Sequence, residues 1–213
     1  MTLNAFNLTT GGNNTSTAYA GVMSGTGRLF KEGAGNLTLT GANTYTGGTT
    51  ITAGTLTGNT TSLIGNIVNN AALVFDQAAA GTFGGIISGI GSLTKLAAGN
   101  LTLTGAHTFT GPTTVAGGTL TNNGSLASAV TVNSGASYAG NGSSGNLVNN
   151  GIVSPGNSIG TIIVNGNYTQ GPGGALNIEI TPEGLTDLLQ VTGTAALDGT
   201  LNILPLGSIA SFA

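Results

Sequence analysis

The sequence predicts an all-β protein whose single chain winds into a right-handed parallel β-helix, a solenoid of stacked coils. Three observations favour this fold: a long internal repeat, short segments in which apolar residues alternate with Thr or Asn, and Gly-rich corners between them. Short strands joined by tight corners, without helical patterns between them, are typical of solenoids that bury a continuous core. We expect residues 1–213 to form one such solenoid.

The composition excludes several other classes of protein. Of 213 residues, 39 are Gly, 35 are Thr and 23 are Asn, whereas only 3 are basic and 6 acidic. Gly costs roughly 1 kcal/mol relative to Ala inside a helix, which disfavours a helical fold. Three basic residues cannot neutralise a row of phosphates, so no nucleic-acid partner is expected. Cys is absent, which excludes disulfides and thiolate sites.

The internal repeat is the strongest signal in the chain. Residues 27–57 align with residues 91–121 at a constant offset of 64, and 21 of the 31 positions are identical. Weaker similarity extends the two copies to 18–57 and 82–121. A coil typically takes about 20–25 residues, so the offset corresponds to about three coils. We therefore expect equivalent residues of the two copies to lie on the same face.

Within each copy the local period is two, which is typical of strands of about 4–6 residues. Leu37-Thr-Leu-Thr40 and Leu101-Thr-Leu-Thr104 show it most clearly, and Leu176–Ile180 and Leu201–Ile203 repeat it later. β-Branched Thr suits the outer face of a strand. The apolar residues of the first copy should be buried and stacked in line with neighbouring coils: Leu37, Leu39, Ile51 and Leu56.

The corners and the scarcity of charge support the same architecture. Gly47-Gly48, Ala53-Gly54 and Gly117-Gly118 separate the strands, and Gly tolerates the backbone conformations that corners need. Equivalent positions of successive coils lie about 4.8 Å apart, so like charges would repel at close range. Thr and Asn can instead form hydrogen-bonded ladders along the outside.

Two other all-β folds fit less well. A transmembrane β-barrel needs strands of about 9–11 residues and aromatic girdles, but alternation here ends after about five residues and only 5% of residues are aromatic. A β-sandwich provides no reason for a gapless long repeat.

Several segments resemble bacterial autotransporters. Residues 35–56, GNLTLTGANTYTGGTTITAGTL, look like the passenger-associated strand repeat, and 99–120 keep its frame with His107 and Pro112 as departures. Further C-terminal segments are similar to the last passenger coils before the membrane-embedded barrel: 149–161, 164–169, 187–193 and 196–201. The resemblance implies a type V secretion product that crosses the outer membrane with the help of its own barrel and then stands on the cell surface or is released.

The function expected from this resemblance is structural: a rod or stalk of a surface-displayed or secreted passenger that contributes to adhesion. The expected partners are an outer-membrane β-barrel translocator outside this chain and host-surface or neighbouring-cell ligands. We expect neither a signal peptide nor a barrel within the chain, which makes it a fragment or a truncated product. Two alternatives stay open, a carbohydrate-active β-helix enzyme and a module that self-associates through its coil ends.

No residues are predicted to form a catalytic, cofactor or metal site. His107, the only histidine, replaces Asn43 of the first copy and is interpreted as a substituted corner residue. Lys31 and Lys95 are repeat-equivalent and are expected to stack along one face. Glu179 and Glu183 are a weak candidate pair for glycosidase chemistry, which needs two carboxyls about 5–9.5 Å apart. The motif Gly140-Asn-Gly-Ser-Ser-Gly145 lacks the following helix and acid of a dinucleotide site.

The C-terminal region differs from the rest. Residues 146–204 are predicted to be degenerate coils that cap the solenoid and start its folding, as the resemblance implies for the last passenger coils. Four of the six acids lie in 179–213, where charge would discourage pairing between open strand edges.

Overall fold

The computed structural model describes residues 1–207; the last residues of the predicted domain, 208–213, lie outside this described part. Within 1–207 all regular secondary structure is β, as predicted. The 27 strands are β1 (Leu8–Thr10), β2 (Thr17–Tyr19), β3 (Leu29–Lys31), β4 (Asn36–Leu39), β5 (Thr49–Ile51), β6 (Thr55–Gly58), β7 (Ile67–Asn69), β8 (Ala72–Asp76), β9 (Gly81–Phe83), β10 (Ile87–Ser88), β11 (Ser92–Leu96), β12 (Asn100–Leu103), β13 (Ala106–His107), β14 (Thr113–Val115), β15 (Gly118–Asn122), β16 (Ser125–Leu126), β17 (Val130–Val132), β18 (Ala136–Gly140), β19 (Ser143–Ser144), β20 (Leu147–Asn149), β21 (Ile152–Pro155), β22 (Thr161–Val164), β23 (Tyr168–Gln170), β24 (Ala175–Ile180), β25 (Leu188–Val191), β26 (Ala195–Ala196) and β27 (Thr200–Pro205).

The strands pair in parallel with strands of the next coil, so each coil has three sides. Side A consists of two five-stranded sheets, β1-β3-β5-β7-β10 and β13-β16-β19-β22-β25. The two sheets are neighbours along the solenoid axis. A backbone hydrogen bond joins them, from the N–H of Thr108 to the carbonyl of Ile87 at 2.9 Å. Side B is one ten-stranded sheet from β2 to β26, and side C is a seven-stranded sheet from β9 to β27. The prediction of a parallel β-solenoid is confirmed.

The buried apolar residues point inwards and stack in register. On side B, Leu37, Leu56, Leu73 and Leu93 occupy equivalent positions of four successive coils. All four predicted core residues of the first repeat copy, including Leu39 and Ile51, are at most 5% exposed. Stacked leucines bury their side chains against each other along the axis, and each burial contributes roughly 1.5–3 kcal/mol.

The two repeat copies lie on different sides of the solenoid, contrary to the expectation. On side A, Leu29 is followed at equivalent positions by Thr49, Ile67 and Ile87, so three complete coils lead from Leu29 to Ile87. The repeat partner of Leu29 is not Ile87 but Leu93, which the chain reaches after one further corner, on side B. Because the offset between the copies equals three coils plus one side, the second copy is rotated by one side about the axis.

The C-terminal coils are longer and less buried than the others. Leu201 and Ile203 form strand β27, as the alternation predicted, but they are 61% and 55% exposed. The register pairs Ile163 with Gln190 and Thr169 with Ala196, so a coil here uses more of the chain than the coil from Leu29 to Thr49. The tightest alternation in the sequence therefore belongs to the strands with the least buried inner face.

Candidate functional site

The two repeat-equivalent lysines lie inside the solenoid. Lys31 ends β3 on side A and Lys95 lies in β11 on side B, with exposed fractions of 1% and 0%. The prediction that they stack along one face is wrong, because the copies are rotated by one side. Burial lowers the pKa of both amines, and the charge of Asp76 raises that of Lys95 in part.

Each lysine holds a corner together through backbone carbonyls. The Nζ of Lys31 donates at 2.6–3.0 Å and that of Lys95 at 2.8–3.0 Å, each to three carbonyl oxygens, one of which belongs to the next coil. Buried charges are rare in proteins unless they are fully hydrogen-bonded. The acceptors are Glu32, Gly33 and Ala53 for Lys31, and Leu96, Ala97 and Gly117 for Lys95. Both lysines therefore have a structural role.

Three inward asparagines join successive coils in the same way, which the sequence reasoning missed. In Asn69, Asn122 and Asn149, Oδ1 accepts the N–H two residues later at 3.1–3.2 Å, and Nδ2 donates to a carbonyl of the next coil at 2.8–2.9 Å. The signal was present in the sequence: each residue begins an Asn-Asn pair followed by Ala or Gly.

His107 is a buried strand residue and not a corner residue. It ends β13, is 1% exposed, and its Nδ1 accepts the N–H of Ile87 at 3.1 Å. The ring stacks on Phe83 with centroids 6.5 Å apart. Burial lowers its pKa to about 4. The interpretation of His107 as a corner residue is therefore wrong, because the residue lies in a strand and its side chain points inwards.

The acids of the C-terminal region lie in different environments. Glu183 lies in the exposed turn after β24, whereas Asp187 is buried. Both carboxylate oxygens of Asp187 accept backbone N–H groups, that of Gly160 at 2.8 Å and that of Glu179 at 2.9 Å. Asp187 therefore links the segment that precedes β22 to strand β24. In residues 1–207, no group of three or more His, Cys, Asp or Glu side chains could hold a metal ion.

The recesses of the surface are small and mostly open. One of about 200 Å³ lies at the N-terminal end of the core against Leu8, Tyr19 and Met23. A recess of about 380 Å³ at the other end contains one acid, Asp198, and a groove of about 140 Å³ beside Thr57 contains Asp76.

The outer face of side B carries a continuous uncharged column of side chains, here called the B column. Its ten members occupy equivalent positions of ten successive strands, about 43 Å in total at about 4.8 Å per step. All are Ala, Thr or Val: Ala18, Thr38, Thr57, Val74, Thr94, Thr114, Thr131, Val148, Thr169 and Ala196. Asn36 links two members of the column, because its Oδ1 accepts from Thr57 Oγ1 at 3.0 Å and its Nδ2 donates to Thr38 Oγ1 at 3.1 Å.

Comparisons with known proteins agree with this architecture. The family model of the passenger-associated-transport-repeat matches residues 29–57 and 93–121. The chain is 37% identical, over 91% of its length, to the adhesin BmaC autotransporter of Brucella suis biovar 1 (strain 1330), and 32% identical, over 55% of its length, to an extracellular serine protease of Serratia marcescens. It spans 6% and 11% of the lengths of these relatives. The prediction of an autotransporter passenger is confirmed.

Residues 1–207 contain no helix that is long and apolar enough to span a membrane.

Proposed function

We propose that this chain is a rod-like segment of a surface-displayed or released autotransporter passenger, and that it contributes to adhesion through the B column. The observation that carries the proposal is the ten-position uncharged column on a continuous parallel sheet. The similarity to an autotransporter adhesin supports it. As a passenger segment, the chain would reach the cell exterior with an outer-membrane translocator.

The chemistry of the B column suits contact with another surface. Thr and Val present methyl groups, and the Thr hydroxyls add hydrogen-bonding capacity without charge. Contact therefore carries no cost of desolvating ions, which is large for unpaired charges. Sheet packing holds the side chains in fixed positions, so little conformational entropy is lost on contact.

A role in binding rather than catalysis is part of the proposal. Among the charged side chains, both lysines are bound to carbonyls and Asp187 is bound to backbone N–H groups. The recesses beside Asp76 and Asp198 contain one carboxyl each, whereas glycosidase chemistry uses two.

The test compares two double variants on beads coated with the chain. Thr94→Lys with Thr169→Lys adds two charges to the B column, four coils or about 19 Å apart, which exceeds the screening length of about 8 Å. Thr82→Lys with Ser154→Lys adds the same charges at the same spacing to the outer face of side C. Adhesion to host cells should fall about tenfold or more, equal to about 1.4 kcal/mol, for the side B variant alone.

Equal adhesion of the two variants would overturn the role of the B column. If beads that carry the wild-type chain do not adhere to cells, the proposed role in adhesion is wrong and only the role as a rod-like stalk remains. Light scattering of the chain alone at increasing concentration distinguishes self-association from adhesion, because self-association would occur without cells.

A further inference from the structure

His107 leaves a buried hydrogen-bonding group without a partner in the middle of the solenoid. Its strand, β13, follows five strands on side A and precedes four. Nδ1 accepts the N–H of Ile87, so the neutral ring carries its proton on Nε2. Nε2 is buried and, within the described part of the chain, has no hydrogen-bond partner. A buried donor left unpaired is costly.

The equivalent residue of the first repeat copy has both partners. Asn43 accepts the N–H of Met23 on Oδ1 at 2.8 Å and donates from Nδ2 to the carbonyl of Ser62 at 2.8 Å. The imidazole of His107 reproduces the first of these bonds and not the second. Protonation would place a hydrogen on Nδ1 as well, so the bond from Ile87 would be lost and a charge would be buried.

No carboxylate faces the ring from the strands packed against it. The adjacent strands of side A, β10 and β16, contain no titratable residue, and neither does β9, which supplies Phe83. In the same coils, Asp76 lies at the exposed end of β8 and Lys95 is bound to three carbonyls. Burial alone accounts for the lowered pKa.

We propose that His107 makes the central coils, residues 83–126, an acid-sensitive breakpoint of the rod. In the open state the imidazole is solvated and takes up a proton at its ordinary pKa near 6.5, whereas the closed state resists protonation down to about pH 4. Acid therefore favours the open state, and the stability of these coils falls as the pH falls through this window. Each coil of a solenoid contacts only its neighbours, so the opening can stay local.

Hydrogen exchange by mass spectrometry at pH 7 and pH 4.5 tests the proposal, with rates expressed as protection factors. Between these pH values, protection of 83–126 in the wild type should fall about 50-fold more than in His107→Asn. Residues 146–157 serve as an internal control, because they contain no titratable side chain and exclude Gly160, whose N–H is bound by Asp187.

The reciprocal variant moves the effect to another place. In the His107→Asn background, Asn43→His should place the acid-dependent loss of protection in residues 23–62. If this variant does not fold, the comparison of the wild type with His107→Asn decides alone. Equal acid dependence of 83–126 in those two proteins would overturn the proposal, and so would a native pKa between 6 and 7 for the single histidine in an NMR titration.

Discussion

Replacing Leu103 and its neighbour Thr102 separately by Ala tests the assignment of inner and outer faces. Leu103 is completely buried and lies in register with Phe83 of the preceding coil and Asn122 of the next. Thr102 points outwards between Thr82 and Thr121 at the equivalent positions. Adjacent residues of one strand thus face opposite environments.

The two substitutions should differ several-fold in their effect on the free energy of unfolding. Leu103→Ala removes three buried carbon atoms, a transfer loss of about 2 kcal/mol at about 0.8 kcal/mol per group. The core of a solenoid closes poorly over the cavity, because its backbone is pinned by pairing on both sides, so the total should be about 2–5 kcal/mol. Thr102→Ala removes only an outer cross-strand contact and should cost about 0.5–1 kcal/mol.

Urea denaturation followed by circular dichroism measures both effects as shifts of the midpoint. Leu39→Ala and Thr38→Ala provide a matched pair in the first repeat copy, where Leu39 is 2% exposed. The order of the two losses should be the same on side B as on side C. Equal midpoints for the Leu and Thr variants would show that the faces are assigned wrongly.

Three further predictions concern corners and ends. Lys95→Met should lower the free energy of unfolding by about 2–4 kcal/mol in a thermal denaturation, because three carbonyls lose their charged donor. Ala97 has a φ of +60°, so Ala97→Gly should stabilise by about 0.5–1 kcal/mol. Gly33 lies at the equivalent corner with a φ of +66°, and Gly33→Ala should destabilise in the same assay because its Cβ would clash with the Gly11 carbonyl. Deletion of 179–213 should reduce the refolding yield more than deletion of 1–26 if the C-terminal coils start folding, with the strongest hydrogen-exchange protection in 146–170, where burial is more complete than in 188–204.

Local patterns were sufficient to predict the strands, their inner and outer faces and the parallel stacking. Leu37 and Leu39 alternate with Thr residues, and alternation with period two can bury only one face of a strand. Gly-rich corners and a gapless repeat then leave few ways to bury that face except against the same segment of a neighbouring coil. Residues 35–56 also carried the resemblance to autotransporter passengers, which the family match confirmed.

Only the tertiary structure decided how the repeat copies are oriented and what the polar residues inside contact. The constant offset between the copies sets a distance along the chain, but the rotation depends on the length of each coil, and the three coils from Leu29 to Ile87 leave a remainder of one side. In the sequence, Lys31 looks like a surface residue. Its burial depends on three carbonyl acceptors from two different coils, which the local sequence does not reveal. The inward position of His107 could not be predicted for the same reason, because its hydrogen-bond partner belongs to another coil. The sequence around a single histidine reveals neither the N–H that Nδ1 accepts nor the absence of a partner for Nε2.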